Sequence, residues 1–111
     1  MELILHTTRD DKVCTLTVEG EVDIYTAPRL KEELVSLIDG GCSYLIVDLD
    51  KVGFIDSSGL GVLVSALRRV REKDGAIRIV CRQESILRLF KITGLDKVFP
   101  VFPDSAHAAQ F

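Results

Sequence analysis

Many functional classes leave marks that this sequence lacks. Its 111 residues include only three prolines and no low-complexity run, which argues against a disordered segment. No apolar stretch approaches the roughly 18 to 20 residues that a membrane-spanning helix needs. Met1-Glu2-Leu3 has no basic region of the kind that opens a secretion signal, so a cytoplasmic location is expected. With 14 basic against 17 acidic residues the net charge is −3, and there is no electrostatic footprint for nucleic acid. The two histidines, His6 and His107, lie near opposite ends of the sequence, which leaves a serine nucleophile without a general base. Gly-x-Ser-x-Gly and the phosphate loop Gly-x-x-x-x-Gly-Lys are both absent, and Gly59-x-Gly61 is too short for a dinucleotide fingerprint. An enzyme is therefore not expected. The cysteines Cys14, Cys42 and Cys81 are odd in number and widely spaced, with no nearby histidine, which predicts neither a disulfide framework nor a zinc site. Cys14 and Cys81 fall in strand-like runs and read as small buried residues, whereas Cys42, beside Gly40-Gly41, reads as exposed.

What is present describes an ordinary globule. Hydrophobic residues make up 47% and charged residues 28%, and the length suits a single domain over residues 1–111 with a core that needs no metal or disulfide. Residues 12–20 alternate Val13, Thr15, Thr17 against Cys14, Leu16, Val18, the period of a strand. Residues 2–8 read as its antiparallel hairpin partner through Arg9-Asp10-Asp11, and so as an edge strand. After a loop over 21–25, Thr26 opens a helix with Pro28 in its first turn and Leu30, Leu34, Leu37 and Ile38 on one face, ended by Gly40-Gly41. The near-continuous apolar run 44–49 predicts a central strand covered on both faces. Leu60, Leu63, Val64, Leu67 and Val70 predict a helix over 57–73 with a basic, solvated face at Arg68, Arg69 and Arg71. A short strand over 76–81, a helix over 85–93 capped by Gly94, a strand over 97–102 and a short helix over 104–110 complete the pattern. Strands alternating with helices predict an α/β domain: a mixed, mainly parallel sheet of four to five strands, one edge strand antiparallel, packed with about four helices.

The most informative stretch is 54–64, where Asp56-Ser57-Ser58-Gly59 marks the passage from strand to helix. A helix start offers unpaired backbone N–H groups and the positive end of the macrodipole, a place that tolerates a phosphate. Asp56 or Ser57 would serve as N-cap. Asp48 and Asp50 with Asp23 and Asp56 can be imagined as a magnesium or phospho-aspartate cluster, but Asp48 lies within the apolar strand and Asp50-Lys51 reads as its solvated end. No cofactor or metal is expected.

Four separated blocks, 18–23 (Val-Glu-Gly-Glu-Val-Asp), 45–49 (Leu-Ile-Val-Asp-Leu), 54–61 (Phe-Ile-Asp-Ser-Ser-Gly-Leu-Gly) and 89–95 (Leu-Phe-Lys-Ile-Thr-Gly-Leu), occur in order on the expected elements. In this arrangement the chain resembles the bacterial anti-sigma factor antagonists, single-domain members of the STAS family, over about residues 10 to 103. The resemblance implies that Ser57 is phosphorylated by an anti-sigma factor that is itself an ATP-dependent serine kinase. It also implies that the unphosphorylated form binds that kinase and frees the sigma factor, and that a metal-dependent serine phosphatase resets the switch. The implied docking surface comprises Asp23, Ile24, Tyr25 and Thr26 before the first helix, and Asp56, Ser58, Gly59, Leu60 and Gly61 around Ser57. Asp23 could instead cap the helix at Thr26, Gly59 and Gly61 could serve packing or a partner's close approach, and the helical spacing of Leu60 favours the core over the docking surface. The alternative reading is a STAS-type ligand-sensing or scaffold module within a signalling complex.

Overall fold

A computed structural model describes residues 2–111. Its elements in chain order are β1 (Ile4–Asp10), β2 (Val13–Val22), α1 (Ala27–Asp39), β3 (Tyr44–Ile55), α2 (Ser57–Arg71), β4 (Ala76–Val80), α3 (Glu84–Thr93), β5 (Val101–Phe102) and α4 (Ser105–Ala108), with a 3₁₀ turn at Leu95–Lys97. The five strands form one sheet in the order β1-β2-β3-β4-β5. β1 pairs antiparallel with β2 and every other pair is parallel, so the expected mixed sheet with an antiparallel edge is present.

Sequential parallel order has a geometric consequence. Right-handed crossovers that all advance in one direction place α1, α2 and α3 on the same face of the sheet. The core follows this division. Leu16, Val18, Leu45, Val47 and Leu49 point from β2 and β3 into the layer built by Leu30, Leu34 and Ile38 of α1, Leu63, Leu67 and Val70 of α2, and Ile86 and Phe90 of α3. The opposite face buries a smaller cluster, Ile46, Val80 and Ala108 with Val13 and Phe102, under the short α4. β3 is thus covered on both faces, as its unbroken apolar run predicts.

Several element ends depart from the pattern reading. β2 runs on to Val22 and β3 to Ile55, so Asp50-Lys51 lies inside β3 and is not its solvated end. The strand expected over 97–102 is reduced to Val101–Phe102. Pro100 and Pro103, which carry no N–H, bracket it, and the amides of Val98 and Phe99 donate back to Leu95 in a turn. Gly94 takes the left-handed conformation, φ 76°, that closes α3. The basic face of α2 is tied down at one point, because Arg69 and Lys73 both approach the carboxylate of Asp39 at the end of α1.

The cysteine reading needs the largest correction. Cys42 is fully buried, not exposed, and is joined to Cys14 by a disulfide with Cα atoms 5.9 Å apart. The register explains the meeting: Val13 pairs with Tyr44, so the turn that leads into β3 passes beside the start of β2. Cys81 is a free, buried thiol, and desolvation raises its pKa.

Candidate functional site

The carboxyl ends of β2 and β3 lie side by side, Val22 paired with Ile55, and the amide of Asp56 donates to the carbonyl of Val22 at 3.1 Å. Two turns therefore leave the sheet together, one towards α1 and one towards α2. The ends of parallel strands are where α/β sheets place their sites, and both sets of implied site residues meet there.

In the first turn Asp23 is the organising residue. Its Oδ1 accepts from the amides of Tyr25 at 2.9 Å and Thr26 at 3.0 Å, and the Thr26 hydroxyl donates to the carbonyl of Glu21 at 2.8 Å. The amide of Asp23 donates in turn to Thr26 Oγ1 at 3.0 Å. Thr26 stands at the N-cap of α1, yet its side chain does not cap the helix. These bonds, the backbone amide of Thr26 first, hold the Asp23 carboxyl below its ordinary pKa. The turn thus keeps a charge at the surface and projects Ile24 and Tyr25 into solvent, 66% and 88% exposed. Side chains so apolar and so exposed are common at interface anchors.

In the second turn Asp56 is the N-cap. Its Oδ1 accepts from the amides of Ser58 at 2.9 Å and Gly59 at 3.3 Å. Ser57 is the first helical residue, exposed and relieved of the capping role. Ser58 is half-buried behind it. Of the four acidic residues considered as a cluster, only Asp23 and Asp56 belong to this place. Asp50 is engaged by the backbone and side chain of Arg82, and Asp48 accepts the amide of Asp50.

The structure separates the two glycines and sets Leu60 in the core, the role that its helical spacing favours. A Cβ on Gly59 would lie 2.6 Å from Val22 Cγ1 and 2.7 Å from Ile55 Cγ1, so Gly59 lets α2 sit close on the strand ends. A Cβ on Gly61 would meet nothing within 4 Å. Leu60 is 7% exposed and belongs to the core, leaving it little surface to offer a partner. Gly59→Ala is expected to lower stability by about 1 to 3 kcal/mol through overpacking. Gly61→Ala is expected to raise it by about 0.5 to 1 kcal/mol through helix propensity. Urea unfolding of both variants checks the contrast.

Phe54, outside the implied site residues, is 49% exposed beside this surface. It lines an open depression of about 260 Å³ with Gly53, Ile55, Ser85, Ile86 and Leu89. In the extension of β3 past residue 51, Phe54 and Ile55 alternate, so Ile55 enters the core and Phe54 does not.

No helix among the described residues is long and apolar enough to cross a membrane. Comparison with known proteins agrees with the geometry. The STAS domain model matches residues 5–108. The chain is 38% identical over 101 residues to the anti-sigma-B factor antagonist of Staphylococcus aureus, covering 91% of this chain and 94% of that one. It is 36% identical over 95 residues to the protein of the same name from Bacillus subtilis, covering 86% of each. The crystal structure of an anti-sigma factor antagonist from Mycobacterium paratuberculosis superposes with a TM-score of 0.88 at 30% identity, covering 96% of this chain and 91% of that one. With a family match that spans the sheet and all four helices, and relatives more than a third identical along most of both chains, this chain belongs to the STAS domain family.

Proposed function

We propose that this chain, a single binding domain over residues 1–111, is a cytoplasmic anti-sigma factor antagonist that works by association and not by catalysis. Its unphosphorylated form binds an anti-sigma factor that is also a serine kinase, which releases the sigma factor. Phosphorylation of Ser57 ends the association, and a metal-dependent serine phosphatase restores it. The observation that carries this reading is the placing of Ser57: exposed at the first position of α2, with capping performed by Asp56, beside the exposed pair Ile24 and Tyr25. The curated relatives named as anti-sigma-B factor antagonists support the partner class.

The cap bears on how a phosphate would sit. Asp56 already takes the amides of Ser58 and Gly59. A phosphate on Ser57 would share the positive end of α2 with that carboxylate and remain largely in solvent. The added charge then falls on the docking surface, not on the fold.

Intact mass and site mapping after incubation with magnesium-ATP and the anti-sigma kinases of the same genome test the proposal. One phosphate on Ser57, absent from Ser57→Ala, is the expected result. Transfer to Ser58 would move the acceptor, and no transfer by any kinase to the folded chain would favour the ligand-sensing reading. Truncating the anchor is a second check: Tyr25→Ala is expected to weaken kinase binding by about 2 kcal/mol, roughly 30-fold, with the melting temperature unchanged. Isothermal titration measures the first and calorimetric unfolding the second.

A further inference from the structure

β3 outruns its neighbour. β4 pairs with it only from Tyr44 to Asp48, whereas β3 continues to Ile55 and leads straight into Asp56 and Ser57. This overhang is also irregular. Its pairing with β2 passes from Thr17↔Asp48 to Glu19↔Lys51 and from Gly20↔Val52 to Glu21↔Phe54, so β3 carries an extra residue at each step. Bulges turn carbonyls out of the ladder and are common where a strand must aim a functional residue.

Gln83 meets those carbonyls. It precedes α3 with an extended backbone, and its side chain does not cap that helix. Its Nε2 instead lies 2.6 Å from the carbonyl oxygen of Val52, 2.8 Å from that of Asp50 and 3.3 Å from that of Leu49. An amide nitrogen has two hydrogens, so the two shorter contacts are direct and the third is shared. The reverse orientation would set an oxygen against three acceptors. One residue earlier, the amide of Arg82 donates to Asp50 Oδ1 at 2.6 Å. Side-chain and backbone donors here take the place of a missing strand.

We propose that Gln83 is a positioning residue for Ser57: by holding the bulged end of β3 it fixes where the acceptor hydroxyl stands relative to the docked kinase. This rests on the phosphorylation reading above. Ile24 and Tyr25 are set by the bonds within their own turn, so loosening β3 displaces the acceptor more than the docking anchors.

The test uses Gln83→Met, which keeps the length and removes both donors, and Gln83→Lys, which restores donors. With the full chain as substrate of the kinase that phosphorylates it, Gln83→Met is expected to lower kcat about 10- to 100-fold while KM stays within about twofold, and Gln83→Lys to recover much of the loss. A merely structural role gives the opposite split, because an unfolded fraction dilutes the substrate and raises apparent KM at constant kcat. That outcome, or unchanged kinetics, would overturn the proposal. Hydrogen exchange is the arm that needs no kinase: the amides of Asp56, Ser58 and Gly59 should lose protection in Gln83→Met while those of Tyr25 and Thr26 keep theirs. If no kinase modifies the wild-type chain, the phosphorylation reading falls by itself, and this exchange pattern decides whether Gln83 holds the Ser57 turn. Uniform exchange across both turns rejects it.

Discussion

Phosphorylation of Ser57 is expected to weaken binding to the anti-sigma factor about a thousandfold, or about 4 kcal/mol, while leaving the fold in place. The group adds roughly −1.5 to −2 charges at a surface that already holds Asp23 and Asp56. Asp23 stays ionised, since the bonds from Thr26 and Tyr25 lower its pKa. Burying the phosphate against a partner strips its water, and nearby carboxylates add repulsion. Neither effect needs the domain to refold, because Asp56 caps α2 through the amides of Ser58 and Gly59 and Ser57 takes no part in that cap, so the modified chain is expected to keep it. Titrations of the two forms at two salt concentrations measure the loss and divide it, because salt screens the repulsion more than the desolvation. The penalty should also shrink below the second phosphate pKa of about 6, where the monoanion prevails. Amide shift changes confined to residues around 22–26 and 54–61 would agree with a local charge switch. Changes spread along α2 would contradict it.

The oxidised chain is expected to be about 3 to 4 kcal/mol more stable than the reduced one. Closing a loop of 28 residues between Cys14 and Cys42 removes that much freedom from the unfolded chain in the loop-entropy picture. For a domain of this size the melting temperature should rise by roughly 15 °C. Calorimetry with and without a phosphine reductant measures it, with Cys42→Ala as the control that should melt like the reduced protein. Coincident melts of oxidised and reduced protein would show that the bond adds nothing. In the reduced fold both thiols would be buried, so alkylation in native conditions should be slow, and fast labelling of Cys42 would place it at the surface. In a reducing compartment the pair is expected as two buried thiols, and the function proposed above requires neither form.

These expectations depend on details that differ in how far they could be read in advance. The Asp23 turn was half legible: Asp-x-x-Thr before a proline-initiated helix signals capping chemistry, but it left the carboxylate and the hydroxyl as rival caps. The fold resolves this by turning Thr26 back to Glu21 and giving the turn amides to Asp23. At Ser57 the motif located the helix start to within one residue, and the fold decided that Asp56, not Ser57, caps it. Gln83 carried no local signal. It sits in a polar stretch after a short strand, and its role exists only because β3 is longer than β4.

Periodicity and turn chemistry in the sequence determined the order and type of the elements, the mixed sheet and the strand-to-helix turn that bears Ser57. Those properties depend on neighbours a few residues away, which a pattern of apolar, capping and glycine positions records directly. Tertiary structure alone decided how far β3 runs, that Cys42 lies against Cys14, that Gly59 is packed while Gly61 is open, and that Gln83 stands in for a strand. Each of these depends on which distant segment arrives alongside, and the register between β2 and β3 sets that arrival.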